Sequence, residues 1–162
     1  MSGVSGNDQC RFCHTAVESV GHLVSASQTL LADGHYTACH NKICKYIHWK
    51  ICKEYKIEVK DKVWDHEPES VTSNRGIIIF YDKIILTGRY IEGGAIRPDI
   101  VIWNKEETTA KIIDVTLPTD FGLNRAERQK ITKYQELKNN LKNTWELKEI
   151  GIISVVVGQQ DL

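Results

Sequence analysis

No stretch of the 162-residue chain holds the roughly 18 consecutive apolar residues of a membrane-spanning helix, and its opening, MSGVSGNDQC, lacks the apolar core of a secretory signal. These absences imply an intracellular protein with no membrane partner. An excess of charge is missing too: 21 basic residues balance 21 acids, so no global field draws the chain to a polyanion. Cysteine is absent beyond position 52. Cys10, Cys13, Cys39, Cys44 and Cys52 are odd in number and confined to the first third, which favours metal binding or simple burial over a disulfide framework.

What is present fits one globular domain with a proper core and room for a small appended module, since 41% of residues are hydrophobic and 26% charged. Basic residues are unevenly spread. Seven lysines lie between Lys42 and Lys62 against Glu54, Glu58 and Asp61, and six basic residues between Arg125 and Lys142 face Glu127 and Glu136. Such clusters suit a polyanion, and equally an ordinary solvated helix face.

Taken in order, the chain begins with Cys10-Arg11-Phe12-Cys13 and His22 nine residues on. Thiolate and imidazole at this spacing make three-quarters of a small zinc knuckle. Ser27 stands where a fourth ligand is wanted, and His14, His35, Cys39 and His40 are the candidate replacements. The reading divides the chain into a degenerate knuckle-like segment over 1–34 and a domain over 35–162.

A helix is expected from about His35 to Lys56, where no glycine or proline interrupts. Cys39, Ile43, Ile47 and Ile51 would form its apolar row. Lys42, Lys45, Trp49, Lys53 and Lys56 form a basic stripe around an indole, a combination that can neutralise phosphates and stack on a base or sugar, or can be a solvated face with Trp49 packed on a neighbour. After a polar segment, Trp64 to Asn74, in which Glu67 or Glu69 could reach a metal, Gly76–Tyr81 and Ile84–Leu86 read as a hairpin.

The stretch RPDIVIWNKEETTAKIID, Arg97 to Asp114, constrains function most. It reads as two apolar strands joined by a polar loop. A turn centred on Glu106 and Glu107 would set Asp99 opposite Asp114, and opposed residues have Cβ atoms about 4.5–5.5 Å apart. Two carboxylates so close favour a proton or a hard divalent cation between them. A second helix from about Asn124 would place Ile131, Tyr134, Leu137, Leu141 and Trp145 on one face. Lys130 and Lys138 fall inside that stripe and Lys133 at its edge, so spacing alone does not select one of them. Ile150–Val157 is almost wholly apolar and is expected in the middle of the sheet.

The resulting α/β (α+β) pattern, a central mixed sheet flanked by helices in the order α-β-β-β-α-β around a Pro-Asp strand, resembles the PD-(D/E)xK restriction-endonuclease-like superfamily. More narrowly, HLVSASQTLLADGHYTACHNKICKYIHWKICKEY, WDHEPE, RPDIVIW, IIDVTLPTD and ITKYQELK look like the C-terminal part of non-LTR retrotransposon polyproteins, where a zinc knuckle precedes a restriction-like endonuclease. The resemblance runs from Cys10 to about Gly158. It implies an endonuclease dependent on Mg²⁺ or Mn²⁺ that nicks target DNA in the nucleus, with element RNA as a further partner. Asp99 and Asp114 would hold the metal, Cys10, Cys13 and His22 would hold Zn²⁺, and Lys130 and Lys133 would take the catalytic lysine's place from the following helix. The usual position of that lysine, two residues after the second acid, is Thr116. Lys42, Lys45, Trp49, Lys53, Arg97 and Tyr134 would contact nucleic acid. Ser27 and the missing reverse transcriptase imply a truncated element, for which a nucleic-acid-binding remnant without catalysis, or an inert α/β domain, are the competing readings.

Overall fold

A helix free of glycine and proline, α1 (His35–Glu54), opens the part of the chain that the computed structural model describes, residues 35–86, 96–117 and 123–157. Its buried row is Cys44, His48 and Cys52, one position round from the expected isoleucines. Ile47 and Ile51 lie partly buried beside that row. The helix ends on Lys56, whose φ of 55° is left-handed, while the Ile57 N–H donates to the Cys52 carbonyl at 2.8 Å and the Lys56 N–H to the Lys53 carbonyl at 3.1 Å. This is a Schellman cap, a position where glycine is usual because a Cβ is penalised there by about 1–2 kcal/mol. Lys56→Gly is therefore expected to raise stability by about 1 kcal/mol in urea denaturation; a lower midpoint would contradict the cap assignment.

Four strands follow, β1 (Val71–Asn74), β2 (Ile77–Tyr81), β3 (Ile100–Asn104) and β4 (Thr109–Thr116), then α2 (Leu123–Thr144) and β5 (Glu149–Val156). The sheet runs β1-β2-β3-β4-β5, antiparallel up to β4 and parallel from β4 to β5. The architecture is thus α+β with a mixed five-stranded sheet and two helices. Four strands precede α2, where the order α-β-β-β-α-β has three, and β1, a polar and half-exposed strand, is the one not expected from the sequence. It pairs with β2 through a two-residue turn with Arg75 at φ 44° and Gly76 at φ 77°, both left-handed as this tight hairpin requires. Ile84–Leu86, expected as β2's partner, forms no strand.

Alternation along the strands sorts the core into two layers. Ile77, Ile79, Ile100, Ile102 and Ile113 point to one face and pack with Cys52, Ile47 and Ile51 of α1. Val101, Ala110, Ile112 and Ile150 point to the other and pack with Tyr134, Leu137 and Leu141 of α2. Ile131, expected on the buried stripe of α2, is exposed. The β3–β4 register pairs Ile100 with Ile113 and Asn104 with Thr109, which is the register expected from a turn on Glu106 and Glu107.

β5 corrects another expectation. It lies at the sheet's edge because β3 already occupies the other side of β4, and Ile153 and Val156 are exposed. Ile150 and Ile152 pack on the α2 side and Val155 on the α1 side, so an edge strand can be apolar on both faces. No helix among the described residues is long and apolar enough to cross a membrane.

Candidate functional site

Asp99 is fixed from two directions. Its carbonyl accepts the Asp82 N–H at 2.8 Å, tying it to the end of β2, and its carboxylate Oδ2 accepts the Val115 N–H at 2.7 Å, tying it to β4. Pro98 before it is fully buried. Arg97 grips Asp82 on both its carbonyl, 2.8 Å, and its carboxylate, 2.7 and 2.8 Å. The other carboxylate oxygen of Asp99 lies 3.4 Å from Nε2 of His40 on α1.

Asp114 is in step with Ala110 and Ile112 and so faces α2. It is buried and densely hydrogen-bonded: Lys130 Nζ donates at 3.0 and 3.2 Å, the Tyr134 hydroxyl at 2.8 Å and the Thr116 hydroxyl at 3.1 Å. Thr116, two residues after Asp114 on β4, and Lys130 from the following helix therefore meet on one carboxylate. Lys130 is half exposed and rims a cleft of about 200 Å³ whose lining also includes Asp114, Thr116, Tyr134, Ile152 and Ser154.

The electrostatics follow from this packing. Burial opposes ionisation of Asp99, but the hydrogen bonds from His40 and the Val115 amide outweigh it and hold the carboxyl below its usual range. His40 moves the opposite way, up to about 11, through its bond to Asp99 and then its contact with Cys44. Burial raises the Cys44 thiol, with His40 partly offsetting it. Burial and then the charge of Asp114 push the Tyr134 hydroxyl far up, so it serves as a hydrogen-bond donor.

No model of a known protein family matches the chain, and no curated protein matches it.

The residues named from sequence fall into three groups. Asp99, Asp114, Lys130 and Tyr134 belong to one neighbourhood, with Lys130 and Tyr134 in direct contact with Asp114. Lys133 is an exposed residue of the same helix. In the basic stripe, Lys42 and Lys53 are exposed, but Lys45 bonds Glu67 at 2.7 Å. The Trp49 indole donates to the Lys60 carbonyl at 2.8 Å and carries the Lys53 ammonium 4.0 Å from its ring centre. Trp49 is thus engaged within the fold through its indole N–H. Glu67 is paired with Lys45, whose hydrogen bond lowers its pKa. Cys10, Cys13, His22 and Ser27 lie outside the described residues.

His40 entered the sequence reading only as a substitute knuckle ligand, Cys44 only as one of five cysteines suited to metal binding or burial, and His48 not at all. Their signal was the row His40, Cys44, His48, Cys52, repeating every four residues on one helix face. Further along that row, His48 is buried and shares a 2.8 Å bond between its Nδ1 and Nε2 of His66. A bond between two imidazole nitrogens needs one donor and one acceptor, so the pair is held neutral on at least one side.

Proposed function

We propose that this domain is a metal-dependent DNA endonuclease of the restriction-like type, hydrolysing a phosphodiester bond to nick its target. The observation that carries the reading is the convergence on Asp114 of Lys130 from α2 and Thr116 from β4, with Asp99 secured to the adjoining backbone at Val115. A buried acid and a half-exposed ammonium beside an open cleft, with a second acid just before the neighbouring strand, are parts that phosphodiester hydrolysis can use.

The donor chemistry fits a hard divalent ion such as Mg²⁺ or Mn²⁺, because two carboxylates from adjacent strands offer oxygen ligands. Asp99 and Asp114 would hold it. When bound, such an ion acidifies a water and offsets charge on the phosphoryl group. The chain's own groups do the rest. Lys130, 3.0 Å from Asp114 and half exposed, can turn into the cleft and donate to a phosphate oxygen as negative charge builds there. Its departure also frees lone pairs on Asp114, whose two oxygens otherwise accept four contacts. Tyr134 keeps its proton and holds the carboxylate in place. Exposed Lys42 and Lys53 are the groups of the α1 stripe available to a DNA backbone.

DNA, with element RNA as a further partner, would be bound, and the nucleus would be the place of action. The test is nicking of supercoiled plasmid in Mg²⁺ by the native protein and by Asp114→Ala. Loss in the variant is expected; equal activity in both, or none in either, would remove the claim.

A second reading, nucleic-acid binding without catalysis, is favoured by one observation. Asp114 is already fully compensated by Lys130, Tyr134 and Thr116, as a structural ion pair would be. It predicts salt-sensitive DNA binding that persists in Asp99→Ala while the native protein leaves plasmid uncut.

A further inference from the structure

We propose that His40, Cys44 and Asp99 form a binding site for a zinc-class transition-metal ion, distinct in chemistry from the Asp99–Asp114 pair. The three donors come from two elements: His40 and Cys44 are one turn apart on α1, and Asp99 precedes β3. Their ligand atoms all lie within 4.8 Å of one another. The His40 Nε2 to Asp99 Oδ1 distance is 3.4 Å and the Cys44 Sγ to His40 Nε2 distance is 3.7 Å.

Those separations are compatible with a tetrahedral ion. Zinc bonds of about 2.0–2.2 Å to nitrogen and oxygen and about 2.3 Å to sulfur, at tetrahedral angles, put neighbouring ligand atoms roughly 3.3–3.6 Å apart. Two of the three edges already approach that figure, and the third, between Cys44 and Asp99, is within 4.8 Å. A thiolate and an imidazole in the set select a softer ion than Mg²⁺, which prefers oxygen donors and water. Cys44 is buried and Asp99 is anchored by the Val115 and Asp82 amides, so two of the three ligands are held in position before any ion arrives. Binding releases the protons of the Cys44 thiol and the His40 imidazole. Three protein ligands leave a fourth position for water or an exogenous group, as zinc sites that do chemistry do.

This assignment does not depend on nuclease activity, although Asp99 is common to both sites. The site also differs from a knuckle built on Cys10 and Cys13, since none of its ligands comes from that segment.

Co²⁺ serves as the probe, added to the full chain carrying Cys10→Ser and Cys13→Ser so that the N-terminal thiols are silent. The expected result is a thiolate-to-cobalt charge-transfer band in the near ultraviolet, which one equivalent of Zn²⁺ abolishes. Cys44→Ser should remove it. His40→Gln and Asp99→Asn should weaken Co²⁺ affinity at least about tenfold. Cys39→Ser and Asp114→Asn should leave the band in place. No band in the parent, or a band that survives Cys44→Ser, would overturn the site. His40 is only part-buried, so His40→Gln keeps the test available if Cys44→Ser folds poorly, and unchanged Co²⁺ affinity in His40→Gln overturns the site equally. Plasmid nicking is read separately, so a failed nuclease reading leaves the cobalt result intact.

Discussion

Lys130→Met is expected to lower the rate of plasmid nicking by roughly 10²–10³-fold, the usual consequence of removing a single donor to developing transition-state charge. Lys133→Met should cost less than about tenfold, because Lys130 is the residue seen in contact with Asp114. The variant also has a stability consequence. Removing the ammonium leaves Asp114 buried with only the Tyr134 and Thr116 hydroxyls to compensate it. Breaking a fully buried pair costs about 3–5 kcal/mol, but Lys130 is 47% exposed, so water takes over part of its role and about 1–2 kcal/mol is expected. Single-turnover nicking and urea denaturation of the two variants check both halves. A Lys133→Met protein as impaired as Lys130→Met would reassign the lysine.

The second large effect concerns pH and the buried His48–His66 pair. Burial, followed by the neighbouring His66, lowers His48 to about 4, and burial lowers His66 as well. An imidazole whose folded pKa lies below its unfolded value of about 6.5 favours the folded state when neutral. That stability is fully present above pH 6.5 and is lost as pH falls from 6.5 to about 4, where the unfolded chain binds the proton and the folded one does not. The loss is on the order of 2–3 kcal/mol. Two other shifted groups fall outside this window. His40, raised to about 11, contributes stability that is complete below pH 6.5 and is lost progressively as pH rises from there to about 11. Asp99, lowered, loses its contribution only below the ordinary carboxylate range. Urea midpoints between pH 7 and 4.5 should therefore fall in the native protein and flatten in His48→Gln. Parallel slopes in the two proteins would show that the pair does not carry the effect.

The hairpin that places the two acids was legible because a polar turn, Lys105 to Thr108, separates two apolar runs, and such runs fix the register that pairs Ile100 with Ile113. The same local logic located α1 and placed the start of α2 within a residue or so. It failed where rotation or long-range partners decide. Reading isoleucines as the buried face of α1 turned that helix by one residue. Its true row, Cys44, His48 and Cys52, contains an imidazole whose burial depends on His66, 18 positions away. β1 was missed because Val71–Asn74 is short and polar, and it becomes a strand only by pairing with β2. Among the lysines of α2, helical spacing admitted Lys130 and Lys138 equally, and only the position of Asp114 beneath the first turns of the helix separates them. The zinc-class site was hidden for a similar reason: Asp99 joins His40 and Cys44 only through the packing of α1 on the sheet.

The most direct measurement compares Mg²⁺-dependent nicking by the native protein, Asp114→Asn, Lys130→Met and the double variant, each checked for folding. Groups that act as one unit are non-additive, so either single change should remove nearly all activity and the double variant should be no worse than the poorer single one. A native protein that leaves plasmid supercoiled, or a double variant slowed by the full product of the two single effects, would contradict a catalytic unit built on Asp114 and Lys130.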